Sequence, residues 1–262
     1  MKNERLSSIL LPLFAVCCII AIWQSATSLF GVPNYLLPEP LQVLFALKRG
    51  LIGGTLWPHL FATVTALFTG FAIGSIVALV VAAGLTESRT LDRMFYPIIL
   101  AFQSMPKVAL APLIVVWFGF DLGSKIVFVS LITFFPVLVN TIAGLRAYPP
   151  DLEALYRAFC ASRFQIFFRV KVLSAMSHIF AGLQIGIVLA LLGTVVSELI
   201  AARRGLGFVI QTSALDFDVA MMFACIVTLS LIGLIASQTI RSIYSRVVFW
   251  DTRGKTTTTS TK

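Results

Sequence analysis

Apolar runs long enough to cross a bilayer dominate this chain and leave it few alternatives to a helical membrane protein. A helix needs about 20 such residues to span roughly 30 Å of hydrocarbon. Six runs reach that length, at approximately 8–30, 60–85, 97–118, 126–145, 176–201 and 219–241. Within lipid every backbone N–H and C=O must be satisfied by the protein itself, so such runs form helices. The composition agrees, with 58% of the 262 residues apolar and 12% charged. The expected class is an all-α membrane protein with six transmembrane helices. One transmembrane domain is expected over 1–250, followed at 251–262 by a polar tail whose composition reads as disordered. The first run follows Lys2 and Arg5, as a secretory signal would. It continues from Ile9 through Phe30, however, beyond the about 7 to 15 residues of a signal's apolar region. It is therefore read as a retained span.

A net charge of +9 invites a nucleic-acid partner, but the distribution of the cations excludes that class. With the N-terminus inside, the inner segments hold Lys2, Arg5, Arg89, Arg93, Arg146, Arg157, Arg163, Arg169, Lys171, Arg241, Arg246, Arg253, Lys255 and Lys262. The outer segments hold only Lys48, Arg49, Lys125, Arg203 and Arg204. This is the positive-inside bias, which places both termini in the cytoplasm. Cys17, Cys18 and Cys225 fall in spans and Cys160 in an inner loop, while His59 and His178 fall at opposite sides of the membrane. Neither a disulfide framework nor a metal site is supported. A phosphate-binding loop requires GxxxxGK[ST], and the one GKT, at Gly254 to Thr256, has Phe249 where the first glycine belongs. The chain itself is expected neither to hydrolyse ATP nor to bind a cofactor.

Between the first two spans, "GVPNYLLPEPLQVLFALKRGLIGGTLWPH" carries Leu41, Leu44, Phe45 and Leu47 at helical spacing and ends at Gly50, Gly53 and Gly54. It reads as a short interfacial helix on the outer surface. The second span carries Ala66, Gly70 and Gly74 at four-residue intervals, a ridge that lets a neighbouring helix approach closely. The third contains Pro97, Pro106 and Pro112 and places Gln103, Ser104 and Lys107 within an apolar run. Proline removes a backbone donor, so a straight helix is not expected. Broken backbone at membrane depth survives only where protein or a water-filled cavity covers it. Gln103, Ser104 and Lys107 are therefore candidates for lining a pathway; the alternative makes Lys107 an anchor at the inner end of the span. In the fourth span Pro136, Asn140 and Gly144 share a face, with Asn140 either bonding another helix or touching substrate. In the fifth, Gly182, Gly186, Ala190 and Thr194 lead on one face to Glu198, either a helix-end or inter-subunit bond or a group at the mouth of a path.

The stretch "RAFCASRFQIFFRVK", residues 157 to 171, interleaves four cations with four phenylalanines. Pro149 and Pro150 stop the fourth span, and Asp151 is placed to cap a helix with Leu152, Leu155, Tyr156 and Phe159 on one face. That helix is expected to end near Cys160 and Ala161. A second begins at once, because Ser162 with Gln165 three residues later forms a capping-box pattern. Two short helices would then project into the cytoplasm towards a partner, or lie as an amphipathic loop on anionic lipid.

At this loop the chain resembles the permease subunits of binding-protein-dependent ABC importers of the type I fold. In their nitrate, sulfonate, taurine and pyrimidine-precursor branch the cytoplasmic loop commonly reads like "ARxxGASRWQIFxxVxLPxALP"; here Tyr156 to Ser177 reads "YRAFCASRFQIFFRVKVLSAMS". "LLPEP", "PKVALAPLIVVWFGF", "FFPVLVNTIAGLR" and "RGLGFVIQTS" are similar to the same branch, so the resemblance covers nearly the whole chain. It implies a pore formed by two copies and an ABC ATPase dimer holding ATP and Mg2+ in a separate subunit. It also implies an extracytoplasmic substrate-binding protein and a place in a bacterial inner membrane. The coupling loop would lie at 149–172, with Arg157, Ala158, Phe159, Cys160, Ala161, Ser162, Arg163, Phe164 and Gln165 at the ATPase, Phe159 and Phe164 as aromatic knobs and Arg157 and Arg163 in rim charge pairs. The implied substrate is a small polar organic or anionic solute: a thiamine pyrimidine precursor, a sulfonate, taurine or nitrate, with a slight lean to the first. The chain departs from the pattern where Cys160 replaces the turn glycine and Ser174 the proline. A residue with a Cβ reaches positive φ only at a cost, so the sequence leaves the geometry of this turn open. A secondary transporter or channel without an ATPase would need inverted repeats or charged pairs within spans. A membrane enzyme would need converging nucleophile, base or metal ligands, and the sequence shows none.

Overall fold

Close approach between helices at small residues organises the bundle. The computed structural model describes residues 2–29, 33 and 35–250, and every regular element among them is helical. In order these are α1 (Lys2–Leu29), α2 (Pro40–Ile52), α3 (Trp57–Glu87), α4 (Arg89–Ser104), a 3-10 turn (Lys107–Leu110), α5 (Ala111–Phe118), α6 (Leu122–Arg146) and α7 (Pro150–Ala158). They continue with α8 (Arg163–Ile166), a π turn (Phe167–Val172), α9 (Leu173–Ala201), α10 (Leu206–Leu215) and α11 (Val219–Val247). The tail expected to be disordered lies outside the described residues.

Helices α3, α6 and α9 form the centre. Lipid is as apolar as the side chains, so no hydrophobic gain drives helices together within it, and fit between surfaces takes over. The Ala66–Gly70–Gly74 ridge does what its spacing predicts. A Cβ on Gly70 would lie 2.6 Å from Cβ of Val129, and one on Gly74 2.5 Å from the backbone oxygen of Ser130 on α6. The Ser130 hydroxyl donates to the Gly70 carbonyl at 3.0 Å. On the other side of α6, Gly144 meets Ala175 and His178, while Gly182 of α9 meets Asn140 and Pro136. Beneath these seams Leu67, Val129, Ile187 and Ala190 pack in one buried cluster, and Ala78, Leu138, Ile142 and Ala175 in another.

Among the described residues, four helices are long and apolar enough to cross a membrane: Trp57–Glu87, Leu122–Arg146, Arg163–Ile200 and Val219–Val247. The third run adds a fifth candidate, the pair Thr90–Ser104 and Lys107–Phe118 bent by 87°. The break falls at Met105 and Pro106, as the prolines led one to expect, while Pro97 stays inside α4 and Pro112 sits in the first turn of α5. Helix α1 is 28 residues long, yet its apolar part among the described residues is only Phe14–Ser28. The six-span expectation thus meets five candidates and a shorter apolar helix. Helix α2 forms where the leucine spacing placed it, and its Val43 and Ala46 pack against Ala224 of α11.

Two local expectations are corrected. Arg163–Ile200 is one helix of 38 residues, so the second coupling helix is not a separate element but the root of the fifth span. No glycine or proline interrupts residues 163–181, and Ser174, standing where the resembled pattern has proline, can keep its N–H in the ladder. Asp151 does not cap α7; the N-cap is Pro149 and Asp151 sits in the first turn. Lys125, read in an outer segment, stands in the first turn of α6 and is buried there.

Replacing Gly74 by Ala should destabilise the protein by about 1–3 kcal/mol, because a methyl group would have to displace backbone. Gly84→Ala on the same helix, where a Cβ meets nothing within 4 Å, should be neutral or slightly stabilising. Thermal unfolding in detergent distinguishes the two.

Candidate functional site

Three places carry polar chemistry: the turn after α7, the bend between α4 and α5, and the opposite end of the bundle. Helix α7 ends in a Schellman motif. The Ala161 N–H donates to the Tyr156 carbonyl at 3.0 Å and the Cys160 N–H to that of Arg157 at 2.9 Å. This motif needs a left-handed residue, and Cys160 supplies it at φ 55°. The geometry that a glycine would adopt freely is therefore kept by a cysteine under strain. Immediately beyond, the capping box forms as its spacing predicts. The Gln165 N–H donates to the Ser162 hydroxyl at 3.3 Å, and the Ser162 N–H to the Gln165 side chain at 2.9 Å.

These two devices turn the chain sharply and leave Phe159 78% and Phe164 71% exposed. The Phe164 ring rests on Phe168 at 4.6 Å. Ala158, Ala161 and Arg163 occupy the same turn. Arg157 is not free: both its Nε, at 3.0 Å, and an Nη, at 2.5 Å, donate to Glu153 one turn back. Hydrogen bonding with the Tyr148 phenol, with the Arg157 guanidinium second, holds the Glu153 carboxyl below its ordinary range. Its contribution is therefore fully present at neutral pH and is lost only as pH falls through the lowered value. The Tyr148 phenol is raised, chiefly by the bond to Glu153, so it stays a donor across the neutral range.

At the bend, Gln103 and Ser104 are exposed and Ser104 donates back to the Leu100 carbonyl at 3.1 Å. The Lys107 ammonium donates to the Gln103 carbonyl at 2.8 Å and lies 5.0 Å from the Phe135 ring centre. It thus neutralises the carbonyl end of the broken helix α4. The groove of about 550 Å³ at this bend is apolar, lined among others by Phe102, Trp117, Phe118 and Phe134, and the three polar candidates do not line it. Asn140 turns onto its own helix, donating to the Pro136 carbonyl at 2.8 Å, with its Cβ against Gly182.

Glu198, at the far end, is fully buried and bonded within the chain. Its carboxylate faces the Lys125 ammonium at 3.3 Å and accepts from the Thr63 hydroxyl at 2.9 Å and the Gly207 N–H at 2.9 Å. Lys125 also donates to the Arg204 carbonyl. The Thr63 hydroxyl accepts from the Leu206 N–H at 2.8 Å, and His59 Nδ1 from the Gly205 N–H at 3.2 Å. A Cβ at Gly205 would collide with the Glu198 carboxyl. The network ties α3, α6 and α9 to the turn that starts α10. Sequence reasoning found Glu198 but missed Lys125, Thr63 and His59; the available signal was a second charge at the edge of the fourth run.

Glu198→Ala should cost about 3–5 kcal/mol, because it leaves the Lys125 charge buried without a partner. Adding Lys125→Met should recover part of that loss in a thermal melt. Cys160→Gly should stabilise the turn by about 1–2 kcal/mol, seen as slower hydrogen exchange over residues 157–163.

Residues 70–248 match the family "Binding-protein-dependent transport system inner membrane component". The riboflavin transport system permease protein RibX of Chloroflexus aurantiacus is 37% identical over 82% of this chain and 81% of the relative. The formylaminopyrimidine transport permease protein ThiX of Halalkalibacterium halodurans is 31% identical over 91% and 95%, and the taurine transport system permease protein TauC of Escherichia coli 29% over 92% and 89%. A chain of the inward-facing MetNI methionine ABC transporter superposes with a TM-score of 0.60 at 21% identity, over 78% of this chain and 97% of that one. This last likeness shows the fold, the all-helical type I importer permease. With its match from the second span to the end of α11 and its relatives aligned over most of their length, the chain belongs to the binding-protein-dependent transport system inner membrane components, as a multi-pass ABC importer permease.

Proposed function

We propose that two copies of this chain form the pore of an ATP-driven importer. Each copy takes its driving movement from a separate ATPase through the turn at 157–165, within the loop 149–172. The observation that carries this is the pair of exposed rings, Phe159 and Phe164, held at the tip of a capped helix-turn-helix outside the apolar bundle. Large aromatic side chains on a rigid turn serve as anchors in a partner's pocket. ATP and Mg2+ belong to that partner, and an extracytoplasmic binding protein delivers the solute.

Two relatives more than 30% identical carry names with a nitrogen heteroaromatic, riboflavin and formylaminopyrimidine. We assign the substrate to that class in preference to sulfonates or nitrate. The aromatic lining of the groove at the bend, Phe102, Trp117 and Phe134, suits a flat ring. Gln103 and Ser104, exposed beside it, are proposed as polar contacts along the path, while Lys107, Asn140 and Glu198 are assigned to holding backbone and helices.

The exposed thiol of Cys160 provides the test. In a chain with Cys17→Ser and Cys18→Ser, purified in mild detergent from its native membrane, a P-loop ATPase should accompany it in stoichiometric amount. Maleimide labelling of Cys160 should be at least about tenfold slower than in the isolated chain, and Phe159→Ala should release the ATPase. A chain that purifies alone, with Cys160 equally reactive before and after detergent extraction, would refute the coupling role.

A further inference from the structure

Helix α7 has no buried residue, although it is the element that would receive the ATPase's movement. Beneath it lies a cavity of about 600 Å³, bordered by Pro149 and Leu152 on one side and by Arg169, Val170, Leu173 and Ser174 of the long helix on the other. Packing of the kind that makes protein interiors rigid is therefore missing between α7 and the helix behind it. A push on α7 needs another route into the bundle.

The structure offers one made of polar contacts. The Lys171 ammonium, in the π turn, lies 2.5 Å from the Glu87 carboxylate at the end of α3 and 5.6 Å from the centre of the Tyr148 ring, in the link between α6 and α7. Its side chain is only 15% exposed. Tyr148 immediately precedes Pro149, the N-cap of α7, and on that helix Glu153 holds Arg157 two residues before the Phe159 knob. One lysine thus stands where α3, the α6–α7 link and the root of α9 meet. Its place depends on the π turn, because an added residue in one turn rotates the downstream side chains by roughly 100° about the helix axis. Such turns occur often at functional positions.

We propose that Lys171 is a positioning residue of the transport cycle: held by Glu87 and the Tyr148 ring, it ties α7 to α3, so that movement of the coupling helix enters the bundle there. This rests on the reading that residues 157–165 dock on the ATPase. The experiment uses the complete complex in nanodiscs, with a bimane fluorophore on Gly84→Cys of α3 in a chain carrying Cys17→Ser, Cys18→Ser and Cys160→Gly. The probe is ATP with vanadate, which traps the ATPase closed. The fluorophore should shift on trapping in this parent chain. Lys171→Gln and Lys171→Glu should each reduce the shift at least about fivefold, with co-purified ATPase and trapped nucleotide unchanged. Lys171→Arg should retain it, and the swap Lys171→Glu with Glu87→Lys should restore it, which a merely structural role would not do. A full shift in Lys171→Gln, or no recovery in the swap, would overturn the proposal while leaving the docking reading intact. A parent chain that retains no ATPase would overturn both.

Discussion

The buried contact between Lys125 and Glu198 is the constraint on which the end of the bundle opposite α7 depends. Two charges removed from water are costly, and here every feature around them offsets that cost. Thr63 and the Gly207 N–H donate to the carboxylate, and the ammonium also reaches the Arg204 carbonyl. The backbone must come very close for this, and Gly205 and Gly207 lack the side chains that would collide with Glu198. Three helices and the turn before α10 are thereby held in one arrangement. Charges that only attracted one another would not fix a register in this way; the directional bonds to backbone N–H groups do.

Away from that network, the helices are fitted at surfaces of small residues. Gly70 and Gly74 admit α6 from one side, and Gly144, Gly182 and Gly186 join α6 to α9 on the other. The result is a centre in which α6 is enclosed by α3 and α9, and a periphery of apolar side chains suited to lipid. An apolar bundle of this kind transmits displacement between packed helices because its seams leave no slack.

The end that carries α7 is built on the opposite plan. Its helix is amphipathic, unburied and underlain by a cavity, with its shape set by a Schellman turn and a capping box and its attachment by polar contacts. Under the proposed coupling role, an element that fits a soluble partner and moves relative to the membrane domain cannot be fused into the core. Strain at Cys160 fits that setting, since the turn is over-determined by hydrogen bonds on both sides.

Much of this was legible in the sequence. Four-residue spacing of Ala66, Gly70 and Gly74 marked a face of α3 open to close approach, though not which helix approaches it, Ser162 and Gln165 marked the capping box, and Pro106 the break at the bend, because each is a local rule acting over one or two turns. The continuity of Arg163–Ile200 was legible in principle, from the absence of any breaker over its first half, but the cations Arg163, Arg169 and Lys171 end the apolar run and so conceal that the helix continues past it. The partners of Glu198 were not legible. Lys125 and Thr63 lie 73 and 135 residues from it, and no local pattern records which distant side chain faces a carboxylate. The sequence by itself determined the helices, their apolar length and the points where they break, since these depend on propensity, spacing and the solvent. Only the tertiary structure decided which charges are paired, which helix meets each glycine and which rings remain uncovered, because each depends on how separate helices are placed in space.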